Sequence, residues 1–220
     1  MFSGVTSFLD GLRTDPSGTI ITFLYIAVCI LFSLIIHECA HGYVALRCGD
    51  PTAKWLGRLT LNPAKHLDPL GTICMVFLRV GWAKPVPVNM YNLKNPKRDM
   101  IFVSLAGVTA NFLLAVIAGI IMFLIRSAGA EGSFLFSVYM VMQYVIVINI
   151  VLMIFNLIPI PPLDGSRVVL FLLPIDLAQK YAKIERYGFW IILILLMTNI
   201  LWKIIAPIAN FLIKLLSGAM

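Results

Sequence analysis

The chain has 220 residues, of which 60% are hydrophobic and only 12% are charged, and its mean hydropathy is +0.96. These values exclude a soluble globular domain and indicate an integral membrane protein, expected to form one domain over 1–220. The net charge of +7 comes from short basic clusters between apolar runs, where topology signals and anionic lipid explain them better than nucleic acid does.

The first predicted element is a membrane helix over 19–46, which follows the helix-start residues at 15–17. Residues 1–18 lack the apolar stretch of a cleavable signal peptide, so we expect this helix to act as its own insertion signal. Near its end the helix contains the sequence HECAH at 37–41. An ionisable side chain at the centre of a membrane helix costs roughly 2.5 to 3.5 kcal/mol, so these residues are expected to serve a function.

The HECAH sequence places two metal-ligating side chains on one face of the helix. His37 and His41 are four residues apart, so about one helical turn separates them and both imidazoles can reach the same ion. Glu38 projects from a neighbouring part of the surface, where it can accept a proton from water, as in HExxH zinc hydrolases. A chance match is the alternative for so short a pattern, but three costly polar side chains at ligand spacing favour a metal site.

The segment over 70–92 is too short to cross the membrane as a helix, and glycine and proline residues interrupt it. Its β-branched residues predict two short membrane-associated β-strands or a re-entrant segment, which would lie beside protein or a water-filled cavity. Such a strand could bind an unwound substrate peptide at its edge, with Val86 and Val88 as candidate substrate-binding residues. The alternative is a hairpin that only fills the helix bundle.

Two further membrane helices are predicted over 100–125 and 133–157. The connection RSAGAEGS is short enough to make them antiparallel neighbours, and the small residues in AGVTAN would allow close helix packing. Asn111 and Asn156 are polar residues within these apolar runs. They are candidate substrate-binding residues, and hydrogen bonding between helices is the alternative use for them.

Residues 158–173 contain several prolines and an Asp-Gly pair, so no continuous membrane helix is expected there. Asp164 in this segment is the preferred candidate for a third zinc ligand, because an unpaired carboxylate at membrane depth would be costly. His66, in a polar loop, is the other candidate, although a turn at Asp164 and a surface role for His66 are the simpler alternatives. The C-terminal membrane segment is expected at about 188–216, with one helix from 189 to about 205 and an amphipathic or partly inserted tail.

Basic residues predict the orientation of the chain in the membrane. Lysines and arginines accumulate in the loops between the first and second membrane helices and again around 180–186. The positive-inside rule then places the N-terminus outside and the HECAH end of the first helix toward the cytosol. We therefore expect a multi-pass protein of the cell membrane whose candidate active site lies toward the cytosolic side.

Two motifs together resemble the site-2 protease family of intramembrane zinc metalloproteases. HECAH and the segment NLIPIPPLDG at 156–165 occur in the family's order, and GWAKPVPVN and AGVTAN are similar to its smaller motifs. The resemblance covers a three-helix catalytic core at about 19–167. It implies that His37, His41 and Asp164 bind one Zn²⁺ ion and that Glu38 is the catalytic base. The substrate it implies is a single-span membrane protein, cleaved in or near its transmembrane segment.

The chain is similar to the short members of that family, since PDZ-like and CBS-like domains and the family's additional leading helix are not evident in it. A membrane metal transporter and a non-catalytic zinc-binding membrane protein are the alternatives from other functional classes, because intramembrane histidine and aspartate also mark ion pathways. A transporter needs no general base. Glu38 is therefore the residue that discriminates between these functions.

Overall fold

The computed structural model describes residues 10–11, 13–68, 84–129 and 132–218. Within these ranges the secondary structure is helical, which confirms the predicted all-α polytopic architecture. The predicted strands fall largely on residues 69–83, which lie outside the described residues, and residues 84–89 form neither a helix nor a strand. The helices are α1 (Pro16–Arg47), α2 (Thr52–Trp55), α3 (Pro96–Ser127), α4 (Ser133–Leu157), α5 (Asp164–Leu172), α6 (Ile175–Ala182), α7 (Glu185–Met197) and α8 (Ile200–Ser217). Short 3₁₀ turns occur at Pro63–Lys65 and Met90–Asn92.

Four of the described helices, α1, α3, α4 and α8, are long and apolar enough to cross a membrane. Two of them begin with the same device, a polar cap followed by proline. The side chain of Asp15 accepts a hydrogen bond from the Gly18 N–H and precedes Pro16, and Asn95 does the same for α3 through Arg98 N–H. Caps of this kind satisfy N–H groups that a helix start leaves free, and proline fits the first helical position.

Helix α3 lies at the centre of the bundle and packs against α1, α4, α5 and α8. The buried core between these helices is almost entirely aliphatic, with small residues on α3 and larger ones on α4. Its fully or nearly fully buried members include Ala115, Ala118, Met122, Ile146, Ile150 and Leu201. Asn149 on α4 lies in this apolar surrounding and donates a hydrogen bond of 2.8 Å to Ser33 Oγ on α1, so a side-chain bond joins the two helices.

The chain breaks after α4, as its prolines predict. Residues 158–163 form turns, and α5 begins at Asp164. Close packing brings α5 against the end of α4, because a Cβ added to Gly165 would lie 2.2 Å from the carbonyl oxygen of Leu157. The side chain of the first residue of α5 is thereby carried back to the end of the bundle that contains the HECAH sequence.

The expected C-terminal helix ending near residue 205 is wrong. The structure ends α7 at Met197 and begins α8 at Ile200, and between them Asn199 adopts the left-handed conformation with φ 58°. Asparagine tolerates this conformation better than most residues. Helix α8 then continues through Pro207 to Ser217, which membrane helices allow when neighbouring groups satisfy the freed carbonyl.

Candidate metal centre

The two histidines of the HECAH sequence share a buried face of α1. Their Nε2 atoms are 3.0 Å apart, and the exposed fractions of His37 and His41 are only 5% and 9%. Helical periodicity brings them together, since residues four apart are stacked on the same face. Both rings lie against α3 and the start of α5.

Asp164 completes a cluster of three donor atoms. Its Oδ2 atom lies 3.1 Å from His37 Nε2 and 3.3 Å from His41 Nε2, and the three ligand atoms lie within 4.8 Å of one another. The structure does not bring the other candidate ligand to this cluster. His66 is buried elsewhere, with Nε2 2.7 Å from the carbonyl oxygen of Thr60 and 3.9 Å from Cys39 Sγ.

The hydrogen bonds around the cluster leave its donor atoms suited to a metal ion. His41 Nδ1 donates to the carbonyl oxygen of Val103 at 2.6 Å, so the lone pair of Nε2 is directed into the cluster. Asp164 Oδ2 is buried and accepts no conventional hydrogen bond. Two imidazoles and one carboxylate are a set that a catalytic zinc site uses, with one position left open.

Gly107 allows α3 to approach this cluster. A Cβ added there would lie 2.5 Å from His37 Cε1 and 2.6 Å from the Nε2 atoms of both His37 and His41. Any larger residue would occupy the space between α3 and the donor atoms. The small-residue motif AGVTAN therefore contributes directly to the shape of the site.

Glu38 lies in the same cavity as the donor cluster but is not part of it. Its Oε2 atom accepts a hydrogen bond of 2.8 Å from the backbone N–H of Val86. The cavity has a volume of about 270 Å³ and is lined by aliphatic side chains together with the polar residues Ser104, Asn156 and Arg167. A carboxylate beside an open ligand position, in a cavity with polar walls, can exchange a proton with water.

The candidate substrate-binding residues divide into two groups. Val86, Val88 and Asn156 line the cavity. Asn111 does not line it, since its side chain is fully buried on α3 and neither polar atom of its amide has a hydrogen-bond partner among the described residues. Sequence reasoning missed Arg167, which is three residues after Asp164 and therefore on the same side of α5.

Comparison with known proteins supports a common origin with metalloproteases. The sequence model described as "Peptidase family M50" matches residues 25–137 and 130–199. The chain is 41% identical over 200 residues to "Putative zinc metalloprotease YwhC" of Bacillus subtilis, covering 88% of this chain and 91% of that protein. It is 30% identical over 199 residues to "Putative zinc metalloprotease Rip2" of Mycolicibacterium smegmatis, covering 89% and 75%. No solved structure matches the chain.

Proposed function

The chain belongs to peptidase family M50, the site-2 protease family, and we propose that it is a zinc metalloendopeptidase of the membrane. Its reaction is hydrolysis of a peptide bond in or near the transmembrane segment of a membrane-protein substrate. The observation that carries the proposal is the buried cluster of His37, His41 and Asp164, with Glu38 in the same cavity. The zinc in the relatives' names and this donor set support one Zn²⁺ ion per chain.

The residues of the cavity have separate roles in the reaction. His37, His41 and Asp164 would hold the ion, which when bound supplies a Lewis acid for the scissile carbonyl and acidifies water toward a pKa of about 7. Glu38 accepts the proton of the attacking water and returns it to the leaving amine. Val103 keeps His41 in the tautomer that directs Nε2 into the cluster, through the hydrogen bond from Nδ1 to its carbonyl oxygen.

The substrate must be unwound at the cleaved bond, because a transmembrane helix hides each amide in a hydrogen bond four residues along the chain. We propose that segment 84–89 binds the unwound peptide as a neighbouring strand. Its position supports this proposal, since Val86 and Val88 line the same cavity as Glu38. Strand pairing through the backbone would accept many side-chain sequences.

A proline at Val88 tests the strand proposal. Val88→Pro removes one N–H from the segment, and one backbone hydrogen bond contributes about 0.5 to 1.5 kcal/mol, so we expect cleavage to decrease several-fold. The rate of product formation from a tagged substrate measures the change, with zinc content as the check that the site is intact. Cleavage equal to that of the wild type would rule the strand out.

We also propose that the active site lies toward the cytosolic side of the cell membrane. The ends of α1 and α3 nearest to the HECAH sequence carry Arg47, Lys97 and Arg98. The last turn of α3 and the connection to α4 together contain one basic residue, Arg126, and one acidic residue. Positive charge of this distribution favours the cytosolic face for the HECAH end.

The function is tested by co-expressing the wild type and Glu38→Gln with a panel of tagged single-span membrane proteins. We expect a shortened product from the wild type, and a loss of about 10² to 10⁴-fold in the variant, as for removal of a general base. Bound zinc measured in both purified proteins should be equal. Glu185→Gln, the same change at an exposed position, is the control and should cleave normally.

The same experiment separates the alternatives. Zinc binding without cleavage by either protein would favour transport, for which metal uptake into vesicles is the direct assay. If Glu38→Gln cleaves as fast as the wild type, Glu38 is not the base. Absence of bound metal in both proteins would contradict the proposed metal centre itself.

A further inference from the structure

The segment 84–89 presents a single backbone donor to Glu38. Its sequence is Lys-Pro-Val-Pro-Val-Asn, and because proline has no N–H, Val86 provides the one amide proton of the stretch 85–87. That proton is donated to Glu38 Oε2 at 2.8 Å. The side chain of Val86 is buried, so the contact lies under the segment and not on its solvent side.

Arg58 holds the beginning of this segment. Its Nη2 atom donates to the carbonyl oxygen of Lys84 at 2.6 Å, and the backbone N–H of Lys84 donates to the carbonyl oxygen of His66 at 2.8 Å. Only 8% of Arg58 is exposed, and no carboxylate of the described residues lies within ion-pair distance of it. A buried guanidinium without a carboxylate is costly, so the carbonyl of Lys84 is a principal partner of this charge.

Asp50 binds the C-terminal end of segment 84–89. Its Oδ2 atom accepts a hydrogen bond of 2.7 Å from Asn89 N–H, and its Oδ1 atom accepts one of 2.9 Å from Asn92 Nδ2 and another from Thr52. Asp50 is fully buried, and its own N–H donates to the carbonyl oxygen of Ala45 at the end of α1. This carboxylate therefore ties the end of the segment to the helix that carries Glu38.

Gly42 brings the segment close to α1. It lies four residues after Glu38, on the same face of the helix. A Cβ added to Gly42 would lie 2.9 Å from Val86 Cγ1 and 2.6 Å from Leu59 Cδ2. A side chain at this position would push Val86 outward, in the direction that lengthens its hydrogen bond to Glu38.

We propose that Arg58 and Asp50 are positioning residues for catalysis, which hold segment 84–89 so that the Val86 N–H fixes the carboxylate of Glu38. With Oε2 held, Oε1 remains available for the proton of the attacking water. The proposal rests on the proposed peptidase function, because Glu38 needs a fixed position only if it is the base. A displacement of about 1 Å in a catalytic group can lower a rate by about 10²-fold.

Hydrogen exchange at the backbone amide of Val86 measures its hydrogen bond to Glu38 directly. Hydrogen exchange at this amide can be followed by NMR in ¹⁵N-valine-labelled protein, without substrate, once its signal has been assigned from its absence in a Val86→Ile variant. A purely structural role of Arg58 or Asp50 would lower stability and leave the exchange of Val86 similar to that of other protected amides. A positioning role predicts a selective increase in exchange at Val86.

The variants are Asp50→Asn and Arg58→Gln, each with a matched control at an exposed residue, Asp176→Asn and Arg186→Gln. Arg58→Lys, which keeps the charge and one donor, should be intermediate between Arg58→Gln and the wild type. Gly42→Ala displaces Val86 without changing a charge. If Asp50→Asn or Arg58→Gln fails to fold, Gly42→Ala still tests the contact between Val86 and Glu38. Exchange at Val86, bound zinc, kcat and KM for a cleaved single-span substrate are measured for each full-length protein.

We expect Asp50→Asn, Arg58→Gln and Gly42→Ala to increase exchange at Val86 at least tenfold and to lower kcat by a similar factor, with bound zinc unchanged. Because the same segment is proposed to bind the substrate, KM should rise by a smaller factor than kcat falls. The controls should match the wild type in all four measurements. Unchanged exchange at Val86, a change in KM alone, or a normal kcat despite faster exchange would each overturn the proposal. If the wild type cleaves nothing, the peptidase function fails, while the exchange rates still decide whether Arg58 and Asp50 hold Val86 against Glu38.

Discussion

A few individual atoms determine the orientation of the candidate zinc ligands His37, His41 and Asp164. His41 has one nitrogen bound to the carbonyl oxygen of Val103 and the other directed at Asp164, and the missing side chain of Gly107 leaves room beside both. Small changes at such positions alter metal affinity without touching a ligand, since outer residues orient the ligating ones.

Substitution of Gly107 by alanine should weaken the metal centre. The added methyl group would meet the ring of His37 at 2.5 Å, and moving that ring separates its Nε2 atom from Asp164. We expect zinc affinity to fall by about 10 to 100-fold, the range found when outer-shell residues are changed. Competition of the purified protein against a zinc chelator measures this affinity.

Gly119→Ala is the matched control on the same helix. Its methyl group would meet the carbonyl oxygen of Leu216 at 2.8 Å, far along α3 from the histidines. It should lower the unfolding temperature and leave zinc affinity unchanged. Equal zinc affinities for Gly107→Ala and the wild type would show that α3 does not constrain the two imidazoles.

Asp50 should make stability depend on pH in a defined direction. Burial raises the pKa of Asp50, but hydrogen bonds from Thr52, Asn92 and Asn89 outweigh this and lower it below its ordinary value. A lowered folded-state pKa gives stability that is complete above the unfolded value of about 3.9 and is lost as the pH falls through the folded value.

We therefore expect Asp50→Asn to destabilise the protein at about pH 6 by roughly 1 to 3 kcal/mol, the cost of hydrogen bonds lost from a charged acceptor. The difference from the wild type should shrink as the pH falls below about 3.9, where the unfolded carboxylate takes up a proton before the folded one does. Thermal unfolding in detergent measures the difference, and Asp176→Asn should show none. A difference that grows toward low pH would contradict a lowered folded-state pKa for Asp50.

The three residues of the donor cluster could be predicted from the sequence, for different physical reasons. His37 and His41 follow from helical periodicity, and Asp164 from the cost of a carboxylate at membrane depth. The hydrogen bond from Val86 to Glu38 could not be predicted, because a backbone N–H has no sequence signal and its partner is 48 residues away. The complete burial of Asn111 could not be predicted either. Which face of α3 is buried depends on the helices that pack against it, and the sequence of α3 alone does not give these neighbours.

Helix pairs in this bundle meet through apolar contact and a few polar bonds. The bond from Asn149 Nδ2 to Ser33 Oγ connects α4 to α1, and Ser33 Oγ in turn donates to the carbonyl oxygen of Cys29 at 2.7 Å. In a membrane such bonds contribute about 0.6 kcal/mol on average, because unfolded chains also find partners there.

A double-mutant cycle tests this helix contact. We expect Ser33→Ala and Asn149→Leu to be coupled by about 0.6 kcal/mol in the free energy of unfolding, measured by denaturation in mixed micelles. Ser137→Ala is the control on α4, because its hydroxyl group donates only to Ser133 O in its own helix. Coupling of Ser137 to Asn149 as large as that of Ser33 would show that the cycle does not measure the helix contact.

Element boundaries were less predictable than the elements. The membrane helices follow from long apolar runs, and prolines correctly predict the interruption before Asp164. The break at Asn199 was missed, because Thr-Asn within an apolar run contains neither glycine nor proline. Pro207 wrongly favoured a helix that ends before it, since proline interrupts most helices in water. Within a membrane bundle proline is tolerated, and α8 continues through it.

The number of candidate membrane helices predicts that both ends of the described membrane region lie on one side of the bilayer. Four crossings would return the chain to the side on which it began, and Arg126 Nη1 donates to the carbonyl oxygen of Gly218 at 3.0 Å. The end of α8 therefore lies beside the end of α3, opposite the metal centre.

This arrangement predicts which positions a membrane-impermeant thiol reagent can reach in intact cells. In a variant without the native cysteines, Gly129→Cys and Gly218→Cys should be labelled from outside. Lys94→Cys, next to the start of α3, should be labelled only after lysis, because the distribution of basic residues favours the cytosolic side for that end. Labelling of Lys94→Cys in intact cells would reverse the proposed orientation.

The separation of the donors along the chain also orders events during synthesis. Asp164 leaves the ribosome about 120 residues after His41, which at typical translation rates corresponds to roughly 6 to 24 s. During most of that interval α4 is still being synthesised, and the two histidines lack the carboxylate of Asp164. On the proposed function, the chain gains its complete donor set, and with it peptidase activity, only after the helices of the core have been synthesised.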